Sequence, residues 1–260
     1  MKIAVITGAS SGMGMETAIQ LADRFGKQLD EIWLIARRED ALRELCEELE
    51  GSPHRHKGNW GISEIRKTKL RSFPLDLTQK TDLNRFRESL KACAPHIRLL
   101  VNGAGVGFYG KAQELSVEDQ LSMIDLNCRA LTQVTLDCLP YLARGSRILQ
   151  IASGSAFCPQ ARFAVYAAGK AYVVSFSRAL ARELKERKIT VTSVCPGPVD
   201  TEFFAHGGIR LPFWKRPFLA DCKRVVRKAL FDAESGKQLS VYGLPMKLVY
   251  WGRILFCRGV

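Results

Sequence analysis

Lys2-Ile3-Ala4-Val5-Ile6-Thr7-Gly8-Ala9-Ser10-Ser11-Gly12-Met13-Gly14 runs from an apolar stretch into a turn of small residues, and a helical period follows it. Residues 2–6 read as a strand of the kind that fills a parallel sheet covered on both faces. The turn lets backbone come close to a bound group. The helix that starts at Gly12 aims free N–H groups and the positive end of its dipole into that turn, an arrangement suited to a pyrophosphate. The spacing is G-x-x-x-G-x-G, which differs from the G-x-G-x-x-G dinucleotide fingerprint, and no Lys-Ser/Thr follows as in a P-loop. Gly8, Ser10, Ser11, Gly12, Met13 and Gly14 are therefore candidate cofactor contacts.

Outward from this stretch, apolar runs and helical periods alternate. Strands are expected at 2–6, 31–36, 71–75, 97–101, 147–152, 189–194 and 238–242. Helices are expected at 12–25, 39–49, 80–93, 116–142, 163–187 and 221–233. The alternation predicts an α/β fold, a doubly wound parallel sheet in three layers (α/β/α). At 260 residues the chain is expected to form a single domain, residues 1–260, without internal repeat or low-complexity linker.

Composition excludes several classes. Hydrophobic residues make up 47% and charged residues 25%, an ordinary globular balance rather than that of a disordered or polytopic membrane protein. The eight cysteines stand singly, with no C-x-x-C pair and no zinc-ligand spacing, and read as buried thiols of a reducing cytosol. Residues 1–6 lack the apolar length of a signal peptide, so a cytoplasmic location is expected. The formal charge of +13 is concentrated in a basic insertion, 51–71, and in the stretch from His206 onward. No nucleic-acid motif accompanies it, so no specific nucleic-acid partner is expected.

At the end of the second strand, where an NAD-selective fold places an acid on the ribose, stand Arg37 and Arg38. A charge-assisted hydrogen bond to a 2′-phosphate is worth roughly 1.5–3 kcal/mol, a tenfold to hundredfold effect, so NADP(H) is expected over NAD(H). Asp76 and Leu77 follow the third strand and are placed to meet an adenine. Asn102, Ala104 and Gly105 follow the fourth and offer another close backbone approach. Past the sixth strand, Pro196-Gly197-Pro198-Val199-Asp200-Thr201 forms a rigid turn, with the Val199 amide and the Thr201 hydroxyl expected to be free for a carboxamide.

Tyr166 and Lys170 are one helical turn apart. An ordinary tyrosine titrates near ~10, so about one in a thousand is phenolate at neutral pH, a cost of about 4 kcal/mol. A neighbouring ammonium favours the anion, and such a tyrosine can exchange a proton with a carbonyl oxygen. Ser153 lies at the end of a predicted strand, where its hydroxyl can hold the substrate oxygen; Ser155 is a second candidate. Asn127 falls inside a predicted helix, where a buried amide is costly unless it binds something.

Together these residues resemble the short-chain dehydrogenase/reductase family, over roughly residues 1–201. The family's T-G-x-x-x-G-x-G stands at Thr7–Gly14, its Asn-Asn-Ala-Gly at 102–105, its helix asparagine at Asn127, its serine at Ser153, its Y-x-x-x-K at Tyr166 and Lys170, and its Pro-Gly at Pro196-Gly197. The resemblance implies a Rossmann-type sheet with bound NAD(P)(H) and gives four residues their roles. Tyr166 is the acid/base, Lys170 holds the nicotinamide ribose and lowers the tyrosine pKa, Ser153 orients the carbonyl, and Asn127 holds a proton-relay water. It implies a homodimer or homotetramer as well. Two residues depart from the pattern: Gly103 replaces an asparagine, and Gly169 stands where a serine usually precedes the lysine.

The expected function is hydride transfer between NADP(H) and a carbonyl or secondary alcohol. The aromatic and aliphatic residues of a lid region, 202–236, suggest a lipophilic ketone: a steroid, a 3-oxoacyl chain or an aromatic ketone. A non-catalytic cofactor-binding regulator or scaffold is the alternative, but it has no need of the Asn127, Ser153, Tyr166 and Lys170 set. The basic amphipathic segment 244–260 has the make-up of an interfacial helix that would contact an anionic membrane surface. A dimer helix or a substrate cover fits it equally well.

Overall fold

The computed structural model describes residues 1–25, 28–51, 68–206 and 219–256. Seven strands form one parallel sheet: β1 (Lys2–Thr7), β2 (Glu31–Ala36), β3 (Lys69–Pro74), β4 (His96–Asn102), β5 (Leu142–Ile151), β6 (Thr190–Cys195) and β7 (Leu239–Val241). Their order is β3-β2-β1-β4-β5-β6-β7, and every neighbouring pair is parallel. The direction of the chain across the sheet reverses between β1 and β4, which opens a crevice at the carboxyl ends of those strands.

Strand periodicity explains the layers. Ala4 and Ile6 of β1 face one side of the sheet, where they pack with Ala18 and Leu21 of α1 (Gly12–Phe25), Leu42 and Leu45 of α2 (Glu39–Gly51), and Val226 and Leu230 of α8 (Cys222–Glu234). Ile3 and Val5 face the other side, with Phe86 and Leu90 of α3 (Lys80–Cys93), Val134 of α5 (Leu131–Cys138) and Leu180 of α6 (Ala164–Glu183). Because both faces are covered, β1 and β2 are buried almost throughout and show no polar alternation. The Rossmann-type α/β/α arrangement is the expected one.

The main departure from the expected elements is at 116–142, read from periodicity as one helix. It is broken into α4 (Val117–Ile124), a π-helical turn at Asp125–Ala130, α5, and a 3-10 turn at Leu139–Tyr141. Ser116 caps α4 by accepting from the Asp119 amide. Pro140, which has no N–H to donate, sits in the 3-10 turn that leads into β5. That strand starts at Leu142, earlier than its apolar run, because Gly145 at φ +84° lets residues 143–146 bulge out between the Ile97 and Leu99 pairings.

Two further helices complete the described residues: the short α7 (Phe203–His206) and α9 (Leu244–Phe256). A buried carboxylate, Asp232 of α8, accepts from Lys228, Lys237 and Ser240 and so ties that helix to β7. Most of the basic insertion (52–67) and most of the lid aromatics (207–218) lie outside the described residues. No helix among those described is long and apolar enough to cross a membrane.

Candidate active site

The turn after β1 is packed too closely to admit side chains. Gly8 has φ +70°, and a Cβ there would come within 2.6 Å of the Ala104 nitrogen; one on Gly14 would meet the Gly8 carbonyl oxygen at 2.2 Å. Gly12, at φ +54°, faces the Thr201 side chain. The Thr7 hydroxyl accepts from the Gly103 and Ala104 amides, pinning the end of β4 against the turn. Helix α1 carries no acid in its first turn, leaving its N-terminus suited to an anion. A cation stands beside it. The Arg38 guanidinium donates to the Ser10 carbonyl at 3.0 Å and to Ser10 Oγ at 3.3 Å, and pairs with Glu202 at 3.0 Å. A cradle of bare backbone beside a helix N-terminus and an arginine fits a nicotinamide dinucleotide.

The other expected cofactor residues divide. Gly105 lies in the site, since a Cβ there would be 2.9 Å from Asn127 Oδ1 and 3.5 Å from Lys170 Nζ. The Asn102 side chain turns away into the core and donates to Thr135 and Gln150 on α5 and β5, so only its backbone faces the crevice. Asp76 accepts from the amide and hydroxyl of Thr78, and Leu77 is buried under β3 and α3. Arg37 is exposed. The Thr201 hydroxyl, expected to be free, donates to the Val199 carbonyl at 3.4 Å. Beside it, Pro198 and Asp200 pair with Ala220, while Pro196 accepts from the Gly154 amide.

Four elements bring the chemical groups together. Ser153 leaves β5 and its Oγ caps the 3-10 turn Gly154–Phe157 by accepting from the Ser155 amide. The Ser155 hydroxyl itself donates to Gln160 at 3.4 Å. Tyr166 and Lys170 share one face of α6, with Lys170 Nζ 5.6 Å from the centre of the tyrosine ring. Asn127 sits in the π-helical turn, fully buried, and both ends of its amide bind the Val106 backbone: Nδ2 donates to the carbonyl at 2.8 Å and Oδ1 accepts from the amide at 2.9 Å. Single π turns interrupt α-helices frequently at functional sites. Here the turn gives the asparagine a rigid backbone partner.

Burial sets the electrostatics. It pushes the Tyr166 hydroxyl up to about 12, against a lowering hydrogen bond from Ser153. It pulls Lys170 down to about 8. The lysine donates to the Ile151 carbonyl at 2.9 Å, which holds its head at the end of β5 beneath the tyrosine. The helical spacing predicts a tyrosine lowered by the ammonium; in the structure desolvation raises it, and the contact that lowers it is Ser153.

Several contacts were not legible from motif spacing. Phe163 stacks on Tyr166 at 4.2 Å and Phe203 meets it in a tilted contact at 5.5 Å, so the tyrosine packs against two aromatic rings. A Cβ on Gly107 would meet the Phe203 ring at 2.4 Å. Met246 of α9 presses on Gly154 and Gly197, where added Cβ atoms would meet it at 2.4 and 3.1 Å. Both departures from the family pattern have steric reasons. A side chain at Gly103 would meet the Thr7 carbonyl at 2.7 Å, and one at Gly169 would meet Cys128 Sγ at 3.2 Å.

A groove of about 650 Å³ lies elsewhere. It runs between α5 and α6 on the outer face, lined by Ile124, Thr132, Leu136, Val165 and Tyr172 among others. Ile124, Leu136 and Tyr172 are exposed there. Among the described residues no group of three or more metal-ligating side chains occurs.

Residues 2–208 match the short chain dehydrogenase family model. An uncharacterized oxidoreductase of Staphylococcus epidermidis is 32% identical over 202 residues, covering 77% of this chain and 79% of the relative. Sulfoacetaldehyde reductase 2 of Chromohalobacter salexigens is 31% identical over 205 residues, covering 77% and 74%. Among solved structures, a short-chain dehydrogenase from Sphingobium yanoikuyae in complex with NADPH superposes with a TM-score of 0.80 at 26% identity, over 99% of this chain and 94% of the other.

Proposed function

This chain belongs to the short-chain dehydrogenase family, an oxidoreductase acting on alcohol or carbonyl groups with a nicotinamide cofactor, and we propose that it works as an NADP(H)-dependent carbonyl reductase on a lipophilic ketone. One observation carries the reading: Tyr166, Ser153, Lys170 and Asn127 meet at the edge of the glycine-rich cradle that Arg38 flanks.

When bound, the cofactor supplies the hydride. Backbone of Gly8–Gly14 and the N-terminus of α1 would hold its pyrophosphate, and Arg38 with Ser10 its 2′-phosphate. Lys170, protonated below about 8, would hold the nicotinamide ribose. Tyr166, firmly protonated in the free protein, gives its hydroxyl proton to the carbonyl oxygen as negative charge develops there, a role that suits reduction. Ser153, adjacent to the tyrosine hydroxyl, orients that oxygen. Asn127 fixes the loop at Val106 that walls the site, both ends of its amide being spent on that backbone.

The aromatic cluster of Phe163, Tyr166 and Phe203 supports an apolar substrate, since an acid packed against these rings is reached only by a group that replaces apolar contacts with its own. The exposed apolar groove between α5 and α6 supports a homo-oligomer that buries it. Cofactor choice is tested by titrating the protein with NADPH and NADH and following nicotinamide fluorescence. NADPH should bind at least about tenfold tighter; equal affinities would mean that Arg38 does not hold a 2′-phosphate.

A further inference from the structure

Arg38 reaches the cofactor cradle from the end of β2, while Glu202 reaches it from the opposite wall, just beyond the Pro-Gly turn. The two side chains are about half exposed and meet at 3.0 Å. The same guanidinium also donates twice to Ser10. It is thus held over the glycine-rich turn by one carboxylate and two neutral acceptors. On one side of Glu202 is Thr201, whose side chain faces Gly12; on the other is Phe203, whose ring covers Tyr166.

We propose that Glu202 is a specificity-determining residue that occupies the 2′-phosphate subsite in the free protein, as an internal carboxylate competitor for Arg38. The inference rests on the NADP(H) reading of that arginine. A phosphate dianion entering beside Ser10 needs the guanidinium donor that Glu202 holds, and two anions cannot share it without repulsion. NADPH must therefore displace the carboxylate. NADH, with a plain hydroxyl at that position, leaves the ion pair intact. Glu202 accordingly lowers NADPH affinity and leaves NADH affinity unaltered, which narrows the preference that Arg38 creates.

The test is a double-mutant cycle read by cofactor titration. Glu202→Gln keeps the side chain's shape and removes its charge at an exposed position outside the core. It should tighten NADPH about two- to fivefold, the range of an exposed ion pair, and leave NADH unchanged. Placed on Arg38→Ala, the same substitution should change neither affinity, because the group being competed for is gone. Unchanged NADPH affinity in Glu202→Gln, or equal tightening of both cofactors, would overturn the proposal while leaving the NADP(H) reading in place. An Arg38→Ala protein that kept its full preference for NADPH would overturn that reading itself.

Discussion

Lys170 shows what burial does to a single side chain. Its Nζ sits at the end of β5 on the Ile151 carbonyl, and desolvation brings it from 10.5 to about 8. Between these values the unfolded chain holds a proton that the folded chain has released, so stability rises with pH across the window. The contribution is fully present above 10.5 and is lost as pH falls through about 8. Tyr166 acts in the opposite sense above pH 10, because burial raises its own value to about 12. Urea unfolding between pH 8 and pH 10 should therefore show the wild-type protein gaining stability relative to Lys170→Met; a constant difference across that range would mean the lysine titrates normally. The pairing of Tyr166 with Lys170 is legible from their spacing on a helix. The size of the desolvation is not, because it depends on Phe163 and Phe203, and the latter comes from another part of the chain.

Helical periodicity identifies α1 and α3 to the residue but runs through the π turn at Asp125–Ala130, since an apolar stripe continues across it. Asn127 is the one residue there whose polarity signals the break, and its partner is the backbone of Val106, which no side-chain pattern reveals. Beyond that turn, α5 and α6 leave Leu136 and Tyr172 on an exposed apolar face. If two copies of the chain cover this face, Leu136→Glu buries a charge at the contact and should convert the oligomer to monomer in sedimentation velocity, with NADPH binding kept. Identical sedimentation of variant and wild type would place the contact elsewhere. Gly169 belongs to the same element. A Cβ there would crowd Cys128 Sγ at 3.2 Å, so the glycine permits the close approach of α6 to the π turn despite a poor helix propensity of ~1 kcal/mol.

At the scale of the whole molecule, the doubly wound parallel sheet is legible because each βαβ unit repeats one physical pattern: a strand buried on both faces, then a helix with one apolar side; the order of the strands comes from the structure. Motif spacing likewise located the cradle at Gly8–Gly14 and the Ser153, Tyr166 and Lys170 cluster. What it missed are contacts between distant segments, among them Arg38 with Glu202 and Met246 with Gly154, where neither partner's neighbours in sequence announce the meeting. The side chain of Asn102 is a related case: the pairing of β4 with β5 sets it opposite Gln150, whose Oε1 accepts from its Nδ2 inside the core, which leaves the backbone of Asn102 for the close approach expected of it. These long-range contacts surround the chemical groups but do not replace them, so turnover depends on Tyr166 as proton donor. The most direct test compares NADPH oxidation by wild type and Tyr166→Phe on a lipophilic ketone that the wild type reduces. Phenylalanine keeps the ring packed against Phe163 and Phe203, so cofactor binding should persist while turnover falls at least about 100-fold. A variant that reduces the ketone at the wild-type rate would contradict the account.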